Sequence, residues 1–174
     1  ANLQWPRLLR KLVFLGTPAI AVTPLRALHA AGHEIDVVVT GPDVRRGRGT
    51  ETSPSPVKAA ALGLGLRVEH DADAVLSSDA SLGVVVAFGK ILRPHLLAHV
   101  PMVNLHFSLL PRWRGAAPVE RAILAGDAET GVCVMAVEEG LDTGRYQEAH
   151  RVVGRVERHR LPTARRLAAD GVRR

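Results

Sequence analysis

The sequence predicts an α/β fold, doubly wound around a mostly parallel sheet, and three observations carry that expectation. The apolar runs at 11–16 (KLVFLG), 34–40 (EIDVVVT), 82–88 (LGVVVAF) and 130–137 (TGVCVMAV) are nearly continuous, as strands covered on both faces are. Helix-favouring or turn-punctuated segments separate them, the alternation that parallel strands with crossovers require. The chain has 174 residues, 47% of them hydrophobic and 23% charged, which suits one domain with a real core. No internal repeat is visible.

In chain order, residues 1–10 form an irregular lead-in that contains Trp5 and Pro6. The strand at 11–16 is followed by a turn and a helix expected to start near Pro24, since proline is tolerated only in a first helical turn, and to stop at Gly32. After the strand at 34–40 comes a long polar loop, residues 41–56 (GPDVRRGRGTETSPSP), of a length that usually marks function. An Ala-rich helix is expected at 57–64, a short strand at 66–69 and a weak helix at 71–79. The strand at 82–88 leads to a helical turn at 94–99 and then to a further strand over 102–107 (MVNLHF). Gly115 to Gly126 holds a helix, and 130–137 is the last clear strand.

The chemistry concentrates in 102–115, MVNLHFSLLPRWRG. Asn104 and His106 are two residues apart, so on an extended strand both point to one face. The segment then breaks into a Pro-containing loop, and in open α/β sheets ligands sit beyond the carboxyl ends of the strands. Asp142 lies in a Gly-flanked turn just past another strand. An amide that can donate to an oxyanion, an imidazole that can move a proton and a carboxylate that can orient it suit acyl-type transfer. The plain alternatives are a buried Asn and His satisfied by backbone groups and an Asp that only shapes its turn. Ser108 lacks the G-x-S-x-G elbow of a serine hydrolase. His95 and His99 have helical spacing but no glutamate after the first, so they read as surface histidines, and no metal is expected.

Composition narrows the partners. Aromatics make up 3% of the chain, too few for a base-stacking platform. The single cysteine, Cys133, excludes an intramolecular disulfide and fits a reducing compartment. No apolar stretch nears the roughly 20 residues of a membrane span, and Gly16-Thr17-Pro18 cut the first apolar run too short for a signal peptide. A cytoplasmic location without membrane contact is the expectation. The net charge of +6 resides in residues 145–174, which hold nine Arg against Glu148, Glu157 and Asp170. A basic tail of this kind contacts nucleic acid or is simply solvated.

These segments resemble the catalytic domain of the folate-dependent formyltransferases, and within them the methionyl-tRNA branch. The matching stretches are VFLGTP (13–18), GRG with PSPVK (47–58), VVVAFGKILRP (84–94), NLHFSLLPRWRGAAPVERAIL (104–124) and GDAETGV with LDTG (126–144). N-x-H, SLLPR-x-RG and LDTG in that order are highly specific. The branch rests on GAAPVERAI and on the GRG-bearing insertion, which are less so. The resemblance implies a Rossmann-like formyltransferase fold and transfer of a formyl group from 10-formyltetrahydrofolate to the α-amine of methionyl-initiator tRNA.

Residue by residue, it implies that Asn104, His106 and Asp142 are catalytic. Asn104 and His106 would stabilise the oxyanion, while Asp142 would support His106 and help the proton leave the amine. It assigns Ser108, Leu109, Leu110 and Pro111 to the tetrahydrofolate loop and 84–92 to the wall of the pterin pocket. It also places Arg48 against the acceptor end of the tRNA. Alternatives are formyl transfer to another amine, such as a sugar nucleotide, and a fragment without activity whose basic tail binds nucleic acid. The family continues beyond LDTG, whereas Arg145 stands where the family has proline and the residues after it show no strand pattern. The expectation is therefore a lead-in (1–10), a partial catalytic domain (11–144) incomplete at its C-terminus, and a divergent tail (145–174). An uncovered sheet edge near Val132, Val134 and Ala136 follows from it. The family is expected to be monomeric at full length, with marginal stability and self-association for this chain.

Overall fold

The computed structural model describes residues 9–45, 51–138 and, as backbone only, 146–153. Seven strands form one sheet in the order β5-β2-β1-β6-β7-β8-β9. They are β1 (Lys11–Gly16), β2 (Glu34–Val39), β5 (Val68–Glu69), β6 (Leu82–Val86), β7 (Met102–His106), β8 (Glu129–Ala136) and β9 (Tyr146–Val153). The first five in that order run parallel, and β8 and β9 are antiparallel to their neighbours. A small ribbon, β3 (Val44–Arg45) against β4 (Thr52–Ser53), stands apart from it. The helices are α1 (Val22–Ala30), α2 (Pro56–Gly63), α3 (Pro94–His99) and α4 (Pro118–Ala125). None of the described helices is long and apolar enough to cross a membrane.

Alternating side chains of the strands feed two cores. On one face Leu12, Phe14, Val38, Val84, Val86, Leu105 and Phe107 pack with Leu25 of α1, and with Val57 and Ala61 of α2. On the other face Val13, Leu15, Val37, Val39, Val85 and Met102 pack with Val75 and with Leu96 of α3. Helices on both sides explain why the strands read as continuous apolar runs. Order changes hands at β1: its chain successor β2 lies on one side and β6 on the other.

Local chemistry accounts for the helix starts. Pro24 falls in the first turn of α1, where its missing N–H costs no hydrogen bond. Ser55 caps α2, its Oγ accepting from Lys58 N at 3.0 Å, with Pro56 at the first helical position. Several boundaries differ from the sequence expectation. The strand expected over 82–88 ends at Val86, because Ala87 turns to φ +48°. The helix expected within 115–126 starts only at Pro118, after Ala117 at φ +54°. The short strand at 66–69 is reduced to Val68–Glu69, and the weak helix at 71–79 is a 3₁₀ segment, Ala72–Ser77. The loop at 41–56 contains the β3–β4 ribbon.

The largest correction concerns β9. No strand was expected after residue 144, yet Tyr146–Val153 pairs along β8 from Glu129↔Val153 to Met135↔Tyr146. The edge near Val132, Val134 and Ala136 is therefore covered by a backbone ladder, and Val132 is fully buried. The physical reason lies in the position of β9. Among the described residues it is the outermost strand, where hydrogen bonding to one neighbour suffices and charged side chains are tolerated, so its sequence needs no apolar alternation. Residues 154–174 lie outside the described residues.

Gly16 shows how tightly β1 packs against the end of β6 and the segment before α1. A Cβ there would stand 2.8 Å from the Val86 carbonyl oxygen and 2.9 Å from the Ala21 Cβ. Neither neighbour can move without shifting backbone. Gly16→Ala is expected to destabilise the chain by about 1–3 kcal/mol, the usual cost of overpacking. Urea unfolding midpoints measure this, and an unchanged midpoint contradicts it.

Candidate active site

Strand β7 carries the site because its outer half leaves the second core. Met102 is buried there with Val85, Leu96 and Val100. Asn104 and His106 share its parity on the strand, so they continue the same face beyond the cover of that core. The neighbouring strands hold them in register, with Val85 and Met135 beside Asn104 and Cys133 beside His106. Both side chains line a cavity of about 530 Å³. Its walls are the 87–92 turn after β6, the Gly115–Pro118 segment before α4, and Met135, Val137 and Glu138 at the end of β8. The volume lies in the range of small-molecule sites, and the lining is apolar with few polar groups, as such sites are.

His106 is buried, 5% exposed, and its Nε2 donates to the backbone carbonyl of Trp113 at 2.8 Å. A carbonyl can only accept, so Nε2 carries a proton. The loop that supplies this carbonyl is held at three successive oxygens. Ser108 Oγ donates to the Arg112 carbonyl at 2.6 Å, His106 takes the Trp113 carbonyl, and Arg121 Nη1 donates to the Arg114 carbonyl at 2.7 Å. Ser108 is fully buried in this role. Leu110 packs with Cys133 and Met135, its N–H directed at Cys133 Sγ at 3.4 Å, and the Leu110–Pro111 peptide is cis. Burial pushes the Cys133 thiol pKa up.

The placement of the expected site residues is uneven. Asn104 and His106 come together on one cavity, and Val85 with 87–92 forms part of its wall. Ser108, Leu109, Leu110 and Pro111 do not line it. Leu109 instead borders a second depression with Arg112, Trp113 and Asp127 to Thr130. Arg48 and Asp142 lie outside the described residues. His95 Nε2 meets Asp73 at 3.1 Å, and His99 Nε2 donates to the Ser78 carbonyl at 2.9 Å, both roles being structural. Among the described residues no three His, Cys, Asp or Glu side chains gather as a metal site.

Sequence reading missed Asp127 and Trp113. The Asp127 carboxylate accepts from Arg112 Nε at 2.9 Å, from Arg112 Nη2 at 2.6 Å and from Trp113 Nε1 at 2.6 Å. The Arg112 and Arg121 guanidinium carbons stand 4.4 and 5.0 Å from the centre of the Trp113 ring. One signal was available: a tryptophan flanked by two arginines in a chain poor in aromatics.

A family model described as formyl transferase matches residues 10–161. The methionyl-tRNA formyltransferase of Synechococcus sp. (strain WH7803) is 54% identical over 145 residues, covering 77% of this chain and 43% of the relative. That of Neisseria meningitidis serogroup C (strain 053442) is 51% identical over 153 residues, covering 81% and 49%. This chain thus spans less than half the length of these relatives. Among solved structures, phosphoribosylglycinamide formyltransferase from Streptococcus pneumoniae TIGR4 matches with a TM-score of 0.71 at 20% identity, over 94% of this chain and 93% of that one. At such identity the likeness is one of fold.

The Arg112 guanidinium, and then the Trp113 indole, hold the Asp127 carboxyl at about 2, below the ordinary 3.8. A lowered carboxylate pKa contributes stability above the unfolded value, and that contribution is lost as pH falls through the folded one. Asp127→Asn is therefore expected to be less stable than the parent above about pH 4, with the gap closing toward about pH 2. Unfolding midpoints across that window measure it. A constant gap contradicts the assignment.

Proposed function

The chain belongs to the formyl transferase family, and on that premise we propose that it transfers a formyl group from 10-formyltetrahydrofolate to the α-amine of methionyl-tRNA. The observation that carries this reading is the convergence of Asn104 and His106 on one apolar-walled cavity. The acceptor is drawn from the relatives named methionyl-tRNA formyltransferase, at 51–54% identity. Work in translation initiation implies the cytoplasm.

The cavity fits a folate ring system by volume and by its apolar walls at Val85, Phe88, Ile91, Leu92 and Met135. When bound, the donor would supply the formyl carbon that the amine attacks, and the bond from that carbon to the folate nitrogen breaks as tetrahydrofolate leaves. The Asn104 amide donates to the oxygen that gains negative charge as the new C–N bond forms. His106 works through Nδ1, since Nε2–H is committed to the Trp113 carbonyl. That nitrogen takes up the proton that the amine must lose, and as imidazolium it steadies the oxyanion before the proton passes to the folate nitrogen that leaves. Asp142 supports the charge on His106, Arg48 meets the acceptor end of the tRNA, and Ser108–Pro111 act by setting the loop that closes the site.

Single-turnover transfer of labelled formyl to methionyl-tRNA tests the reading. Asn104→Ala is expected to lower the rate about 10²–10³-fold, the usual effect of losing an oxyanion donor, with folate binding retained. An unchanged rate removes Asn104 from the mechanism. Arg48→Ala is expected to weaken tRNA formylation and to flatten its dependence on salt. If Arg48→Ala leaves tRNA formylation intact while a sugar-nucleotide amine is formylated, the acceptor assignment is wrong.

A further inference from the structure

The hydrogen bond between His106 and Trp113 depends on a backbone that is not self-supporting. Trp113 sits at φ +60°, a left-handed conformation that steric conflict at Cβ disfavours in every residue but glycine. Its carbonyl points at His106 only while this conformation is held. The Ser108 and Arg121 contacts fix the carbonyls on either side, but neither touches the Trp113 side chain by hydrogen bond. Asp127 does so, and it grips the adjacent Arg112 with both carboxylate oxygens. Bidentate, charge-assisted geometry of this kind resists both rotation and translation.

Asp127 is itself anchored to the frame that carries His106. Its N–H donates to the Ala122 carbonyl at 3.0 Å, beside Gly126 at φ +70°, which ends α4 in a Schellman-type turn. Two residues later β8 begins, and β8 places Cys133 directly opposite His106. The Asp127 side chain is 14% exposed against 59% for Arg112, so the clamp is shielded from water on its acidic side. Clamp and imidazole are thus two points on one rigid body, with the Trp113 carbonyl set between them.

We propose that Asp127 is a positioning residue for His106. By clamping Arg112 and Trp113, it holds the Trp113 carbonyl against Nε2 and so keeps a proton on that nitrogen. This rests on the reading of His106 as the proton-handling group, but its test does not need turnover.

The test is nitrogen-15 NMR of the His106 ring in the full 174-residue chain, without substrate, near neutral pH. The parent is expected to show the Nε2–H tautomer with a slowly exchanging proton. Asp127→Ala is expected to lose that slow exchange and to gain the Nδ1–H form, while Asp127→Glu recovers part of the parent signal. Should Asp127→Ala fail to fold, Trp113→Phe keeps the ring, removes the indole donor and is expected to shift the tautomers the same way. A folded Asp127→Ala, or in its place Trp113→Phe, with the parent's tautomer and proton exchange overturns the proposal. That outcome would leave formyl transfer standing, whereas a parent chain that cannot formylate, yet shows these tautomer changes, would refute the reaction and keep the clamp.

Discussion

A strand covered on both faces can carry polar side chains only where each finds a partner or a cavity, and β7 is where this sheet meets that constraint. Met102 takes the apolar option, against α3. Asn104 and His106 take the other, because the second core ends before them and the 87–92 turn swings away. Unsatisfied burial would cost about 1–3 kcal/mol for each polar group. The cavity is therefore the same feature that lets an amide and an imidazole sit in a hydrophobic sheet. Position in the sheet, opening and chemistry have one cause.

The loop after β7 gives one ring nitrogen of His106 a fixed hydrogen-bond partner. His106 could in principle carry its neutral proton on either nitrogen, and the choice decides what it can do in a reaction. Here a backbone carbonyl, which cannot donate, keeps a proton on Nε2. Ser108 illustrates a related point. Its hydroxyl is fully buried and donates to the Arg112 carbonyl, which shapes the loop after β7.

The parts of the fold that sequence made legible are those set by burial. Continuous apolar runs located β1, β2, β6, β7 and β8 because both faces of this sheet are covered. Spacing alone put Asn104 and His106 on one face, since strand geometry leaves no other option. What stayed hidden depends on backbone ladders or on distant partners. Among the described strands β9 pairs with β8 alone, so its Gln, Glu, His and Arg residues conceal it. The strand expected to run to Phe88 stops at Val86 because Ala87 adopts a left-handed turn that its own chemistry does not announce. Asp127 belongs to the site through a side-chain clamp 14 residues along the chain from Trp113, a pairing that no local pattern encodes.

The central claim is that the cavity beside Asn104 and His106 receives the folate ring. The most direct measurement is a titration of the assigned chain with tetrahydrofolate, followed by amide NMR. The account predicts saturable shifts of the Asn104 side-chain amide and of backbone amides from Phe88 to Leu92 and at Ala116 and Ala117, the walls of that cavity. Saturable binding that leaves those signals unmoved, and perturbs instead Leu109 and the Asp127–Thr130 depression, would contradict it.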